Sequence, residues 1–136
     1  MKFKNIFILA FIVSILTSCT WKEKQIVKVF KRKILVNNLD YSIKGVCYHP
    51  VPKGSANKRD FGNLKEDILL MQDAGINTIR VYAPIDNIDV LDQLAAAEIR
   101  VIIGFGYKQE GKYDIESGTF IDYVNTYKNH KAILMW

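Results

Sequence analysis

The sequence predicts an α/β fold built on a parallel sheet. Strand-like and helix-like segments alternate three times between Ile43 and Tyr127, and a fourth apolar strand pattern follows at 132–136. The strand segments are short apolar runs, as expected of parallel strands covered by helices.

The elements are read in chain order. Trp21 to Lys24 is a short polar tether. Gln25 to Phe30 and Ile34 to Val36 are rich in β-branched residues and flank the basic turn Lys31-Arg32-Lys33. Asn37-Asn38-Leu39-Asp40 reads as a second turn. Ile43 to Tyr48 is the first strand of the parallel sheet. A polar loop from Pro50 to Asp60 follows, broken by Pro50, Pro52, Gly54 and Ser55. Leu64, Ile68, Met71 and the neighbouring Leu69 then recur at helical spacing up to Ala74, and Gly75 stands where a left-handed helix cap is needed.

Thr78 to Tyr82 is the second strand. Pro84 and Asp86-Asn87 introduce a helix with Ile88, Leu91, Leu94 and Ala95 on one face. Val101 to Phe105 is the third strand, and Gly104 to Tyr113 forms a loop. A third helix starts near Thr119, with Phe120, Val124 and Tyr127 on one face, and Ala132 to Trp136 is the fourth strand. Asp73-Ala74-Gly75-Ile76 before one strand and Ala96-Ala97-Glu98-Ile99 before the next look alike. Repeated strand–helix units suit either a barrel or a doubly wound sheet. The sequence closes inside a strand with no covering helix, which leads us to expect a fragment or a truncated reading frame.

The N-terminus carries a separate signal. Lys2 and Lys4 precede an apolar run from Ile6 to Leu16 that only Ser14 interrupts. That run is shorter than the ~20 residues a spanning helix needs, and it fits a secretory leader. Leu16-Thr17-Ser18-Cys19 resembles the lipobox of bacterial lipoproteins. The resemblance implies a signal peptide over 1–18, lipid on Cys19, and a tether to a membrane of the bacterial cell envelope. Thr20 is not the aspartate associated with inner-membrane retention. An ordinary secretory signal or an uncleaved anchor is the alternative. The remaining domains are a tether and β-hairpin lead-in over 19–42 and an α/β domain over 43–136.

Composition narrows the function classes. Hydrophobic content of 49% and charged content of 24% are those of a globular protein. Two of the 19 basic residues lie in the leader, which leaves 17 against 14 acidic ones. So small a surplus does not argue for a nucleic-acid partner, and the basic triplet reads as a solvated hairpin edge. With Cys19 lipidated, Cys47 stands alone, so no disulfide framework or cysteine-based zinc site is expected. Its apolar surroundings suggest a buried structural thiol. Gly104-Phe105-Gly106 does not extend into a dinucleotide fingerprint, and no P-loop, H-E-x-x-H or nucleophile-elbow pattern occurs. No cofactor or metal is expected.

Three further motifs point to a family. Ile34 to Pro50 (ILVNNLDYSIKGVCYHP) resembles the entry into the catalytic barrel of family 2 glycoside hydrolases. Asp67 to Tyr82, with MQDAGINTIRVY from Met71 on, resembles the helix and strand that follow, and it is equally similar to fungal-type β-1,3-glucanosyltransferases of the same clan. Asn129 to Trp136 (NHKAILMW) resembles the run preceding the clan's acid/base glutamate. Asn38-Leu39-Asp40 departs from the usual Gly-Lys-Pro, Glu98 from a Gly, and Lys131 from a Pro.

The resemblance implies a partial (β/α)₈ barrel, comprising three βα units and the start of strand 4, preceded by a short hairpin. It also implies a carbohydrate substrate and a retaining two-carboxylate mechanism, with both glutamates beyond residue 136 and no catalytic residue within this sequence. A β-glucan transglycosylase and a non-catalytic glycan- or partner-binding lipoprotein are the alternatives. His49, Arg80, Tyr82, Tyr107 and Trp136 stand at strand ends or the loops after them, where barrel active sites lie. They are the candidates for substrate binding or support. Alternation places Arg80 on the face opposite Ile79 and Val81, and the resemblance implies that it orients the nucleophile. The alternative for Arg80 is a structural pairing with an aspartate in the barrel floor, and for His49 a loop histidine bonded to backbone. Tyr82 and Trp136 suit core packing nearly as well. Asp86, Asp89 and Asp92 are spaced by three, which we read as helix capping and solvation rather than metal ligation.

Overall fold

A computed structural model describes residues 25–55, 58–106 and 112–136. Cys19, the leader and Tyr107 lie outside the described residues.

Two sheets form the molecule. The first is antiparallel and holds β1 (Val27–Phe30), β2 (Lys33–Val36) and β3 (Leu39–Tyr41) in that order. The segment read as a four-residue turn is a two-residue turn followed by β3. Asn37 and Asn38 both take left-handed backbone, with φ of 51° and 66°. That is the requirement of a tight hairpin turn, and asparagine tolerates it better than most residues. The Asn37 side chain also accepts a hydrogen bond from the Ile26 backbone at 2.9 Å.

The second sheet is parallel and holds β4 (Gly45–Cys47), β5 (Thr78–Val81), β6 (Arg100–Ile103) and β7 (Ile133–Met135), in chain order. Three helices connect them: α1 (Leu64–Asp73), α2 (Ile88–Ala96) and α3 (Phe120–Tyr127). Ile79, Val81, Val101 and Ile103 pack with Leu64, Ile68, Leu91 and Leu94 in one core, so the helices cover one face of this sheet. Cys47 and Arg80, in register on the opposite face, are exposed. The pairing of β6 with β7 contains a β-bulge. Val101 pairs with Ile133 and Ile102 with Met135, which leaves Leu134 as an extra residue.

The helix faces differ from the periodicity reading in three places. In α1, Leu64, Ile68 and Met71 are buried while the neighbouring Leu69 is exposed. In α2, Val90 joins Leu91 and Leu94 in the core while Ile88, in the first turn, is exposed. In α3, Tyr123 is the fully buried residue, and the predicted Phe120, Val124 and Tyr127 are only half-buried around it. Its hydroxyl explains this: it donates to the Ile85 carbonyl at 2.8 Å and lies 3.2 Å from the Ile85 amide, which donates to it. A tyrosine enters a core when its hydroxyl finds such partners.

Both interior helix caps use left-handed residues, as the repeated unit implied. Gly75 has φ of 69°, and Glu98, in the equivalent place, has φ of 59°. Glycine carries no Cβ penalty there and glutamate does. Glu98→Gly is therefore expected to raise unfolding free energy by about 1 kcal/mol, and urea titration followed by circular dichroism would measure it. An unchanged or lowered midpoint would refute the strain argument.

The antiparallel sheet covers the N-terminal end of the parallel one. The Tyr41 hydroxyl donates to the Asn77 carbonyl at 2.8 Å and lies 2.9 Å from the Thr78 hydroxyl. The Arg100 guanidinium sits 5.5 Å from the Tyr41 ring and donates to the Lys131 carbonyl at 2.8 Å. These bonds bury Thr78 and leave the C-terminal end of the sheet open.

Candidate active site

Ligands of α/β sheets bind beyond the C-terminal ends of the strands. On the face away from the helices, register aligns Cys47, Arg80, Ile102 and Met135 across the four strands. Above Cys47 and Arg80 stand His49 and Tyr82. Their rings meet edge-on with centroids 6.3 Å apart. The Arg80 guanidinium lies 5.2 Å from the centre of the Tyr82 ring. A hydrogen bond to the Cys47 thiol raises the Tyr82 pKa, the charge of neighbouring Arg80 opposing it. The structure thus brings together three of the sequence-predicted residues, His49, Arg80 and Tyr82, and adds Cys47.

Cys47 is exposed, not the buried structural thiol expected from its apolar neighbours. Alternation along β4 turns it to the uncovered face, where Arg80 is its partner in register. Arg80 is likewise exposed, and its guanidinium rests on the Tyr82 ring.

Trp136 belongs to a different group. It stacks on Phe105 at 6.0 Å and meets Tyr123 edge-on at 6.0 Å. Tyr113 and Tyr127 complete this aromatic cluster around Tyr123. Trp136 itself stays 42% exposed, so part of its ring faces solvent.

Sequence reasoning missed Arg59. Its guanidinium donates to the Ala83 carbonyl at 2.8 Å and the Pro84 carbonyl at 2.7 Å, and it lies 5.7 Å from the Phe61 ring. It therefore ties the loop after β4 to the loop after β5, beside Tyr82. Burial lowers its pKa while Asp86 and Tyr123 oppose the shift. Nothing in a polar loop sequence marks one arginine for this role. Gly104 was also unassigned. A Cβ there would lie 3.0 Å from the Val81 carbonyl oxygen and 3.3 Å from the Tyr82 Cα, both backbone atoms, so a side chain would press β6 away from β5 at the site.

Tyr48, between Cys47 and His49, points the other way and donates to Asp67 of α1 at 2.6 Å. Burial raises its pKa, and the hydrogen bond and charge of Asp67 raise it further. The folded chain holds this proton more tightly than the unfolded one. Its contribution is complete below the ordinary tyrosine range, about pH 10, and is lost as pH rises beyond it. Tyr48→Phe is expected to flatten the alkaline fall in thermal midpoint, and an unaltered pH profile would contradict that.

The three aspartates in and before α2 do not converge. The Asn87 side chain caps the Asp89 amide at 2.9 Å, Asp92 pairs with His130 at 3.1 Å, and Asp86 faces Lys112 at 3.8 Å. Among the described residues, no three His, Cys, Asp or Glu side chains form a group able to hold a metal.

The site therefore offers an imidazole, a guanidinium and a phenol on an uncovered sheet face. None of the described residues in these rows is acidic. Such groups can hydrogen-bond hydroxyls and pack against the C–H face of a ring. They can also position a reacting group, but they supply no acid/base carboxyl pair.

No protein-family model matches the sequence, and no curated protein matches it. Solved structures do. A Faecalibacterium prausnitzii β-glucuronidase is similar over 82% of this chain and 21% of its own, at 18% identity and a TM-score of 0.65. A family 2 β-galacturonidase from Eisenbergiella tayi, bound to galacturonate, is similar over 80% and 21%, at 20% identity and a TM-score of 0.63. An Amycolatopsis orientalis exo-chitosanase, in complex with a β-D-glucosamine derivative, follows over 80% and 15%, at 14% identity and 0.58. The chain thus spans about a fifth or less of the length of these structures, and it shares the α/β fold found in one segment of these glycoside hydrolases.

Proposed function

We propose that this chain is the first half of the catalytic (β/α)₈ barrel of a retaining glycoside hydrolase, held to the bacterial envelope by lipid on Cys19. One observation carries the reading. The strand ends of a fold shared with glycoside hydrolases gather His49, Arg80 and Tyr82 on the face that would line the barrel lumen. In this reading four further strands close the barrel opposite that face. They bring both carboxyl groups, ~5–5.5 Å apart, to the mouth where Arg80 stands. Arg80 orients the nucleophile, His49 and Tyr82 line the sugar subsite, and Tyr107 and Trp136 extend it. The substrate is an oligo- or polysaccharide.

The test is the product of the locus read past the codon for Trp136. Assayed against a panel of aryl β-glycosides and β-uronides, it is expected to release phenol with retention of anomeric configuration, followed by NMR of the first-formed sugar. If an expressed gene stops at Trp136 and its product binds oligosaccharides without turnover, the chain is a binding lipoprotein instead.

A further inference from the structure

The antiparallel sheet has two faces of different character. Register places Val27, Val29, Ile34, Val36, Leu39 and Tyr41 on the inner face, where Val36 is buried and Tyr41 reaches the N-terminal end of the parallel sheet while Val29 and Leu39 stay exposed. Lys28, Phe30, Lys33, Leu35 and Asp40 fall on the outer face. The turn between β1 and β2 adds Lys31 and Arg32. All four cations are exposed, and Asp40, the one acidic residue in these rows, pairs with Lys33. Among them Phe30 is 58% exposed, with the Lys31 ammonium 5.3 Å from its ring centre. Lysines alone guard an edge strand against pairing. An aromatic ring at the tip of such an edge does not serve that purpose. Basic residues around an exposed aromatic are the composition of a surface that sits in the headgroup layer of an anionic bilayer.

We propose that the outer face of the β1–β2–β3 sheet docks on the anionic lipid surface to which the chain is tethered. The inference rests on the lipid anchor proposed above. Gln25 follows Cys19 by six residues, a reach of about 20 Å at full extension, so a lipidated Cys19 keeps β1 close to the headgroups. Lys31, Arg32 and Lys28 then meet the phosphates while Phe30 enters the interface. The inner face of the same sheet caps the N-terminal end of the parallel strands. Docking therefore turns the opposite end, with His49, Arg80 and Tyr82, away from the bilayer toward a polymer in solution.

The experiment uses the full chain, processed and lipidated in a bacterial host, on a Trp21→Phe, Trp136→Phe background. Phe30→Trp reports the tip and Tyr82→Trp the opposite end. Each is reconstituted in phosphatidylethanolamine–phosphatidylglycerol vesicles with brominated acyl chains, and mass spectrometry establishes acylation of Cys19. The expected result is quenching at position 30 several-fold greater than at position 82. That quenching should fall sharply on Lys31→Glu, Arg32→Glu substitution, or in phosphatidylcholine vesicles. Acylated protein with equal or no quenching at the two positions overturns the docking while leaving the anchor. Quenching at position 30 that is indifferent to lipid charge and to the substitutions also overturns it. Unmodified Cys19 overturns the anchor and the docking with it.

Discussion

Tyr123→Ala is expected to destabilise the chain by about 4 kcal/mol, within the range for removing a buried aromatic side chain. Tyr123 is 1% exposed and touches the Phe105, Tyr113, Tyr127 and Trp136 rings. Its hydroxyl also satisfies both the amide and the carbonyl of Ile85, itself 1% exposed. The substitution removes the packing and leaves two buried backbone groups without a partner. Against the 5–15 kcal/mol typical of a whole domain, that loss is of the same order as the stability itself. Tyr123→Phe keeps the ring and isolates the polar contribution, for which about 1–3 kcal/mol is expected. Urea unfolding of the two variants separates the two contributions. If Phe and Ala prove equally mild, the hydroxyl and the cluster do not hold α3 to the sheet.

In the full-length glycosidase proposed above, Arg80→Ala is expected to lower kcat by about a hundredfold or more with little change in thermal midpoint. The guanidinium is exposed on the sheet face and supports no described ion pair, so the fold loses little. The reaction loses the group that fixes the nucleophile's geometry. Arg80→Lys is not expected to rescue it, because a single ammonium cannot reproduce a planar fork. A rise confined to KM would instead make Arg80 a substrate contact, and a fall in stability with unchanged kcat would make it structural.

The order of elements was legible because burial of parallel strands and helix faces writes itself into apolar spacing. Strand positions from 78 to 103 and the helix from Leu64 agree with the periodicity to within a residue or two. Gly75 marked its own cap, while Glu98 adopts the same left-handed backbone without a residue that announces it. Alternation along β5 placed Arg80 correctly on the face away from the helices. The same rule applied to β4 would have placed Cys47 beside it, but its apolar neighbours drew the reading toward burial. Tyr123 was passed over because a tyrosine is amphipathic, and its depth depends on a carbonyl 38 residues away. Arg59 was invisible for a similar reason: its partners are backbone carbonyls of another loop, which carry no sequence signature.

The extra residue in β7 decides which way the last side chain of the chain points. Val101 pairs with Ile133 on the helix-covered side and Ile102 with Met135 on the open side, so Trp136 turns back toward Phe105 and Tyr123. Pairing Leu134 with Ile102 and Met135 with Ile103 instead, with no residue left over, would restore simple two-residue alternation and invert the parity of everything after Ile133. The indole would swing across the sheet to the side of Arg80 and Tyr82, and Met135 would take its place against α3. A one-residue shift in pairing would thus move a ring out of the aromatic cluster and onto the face that carries Cys47 and Arg80, with no change of sequence.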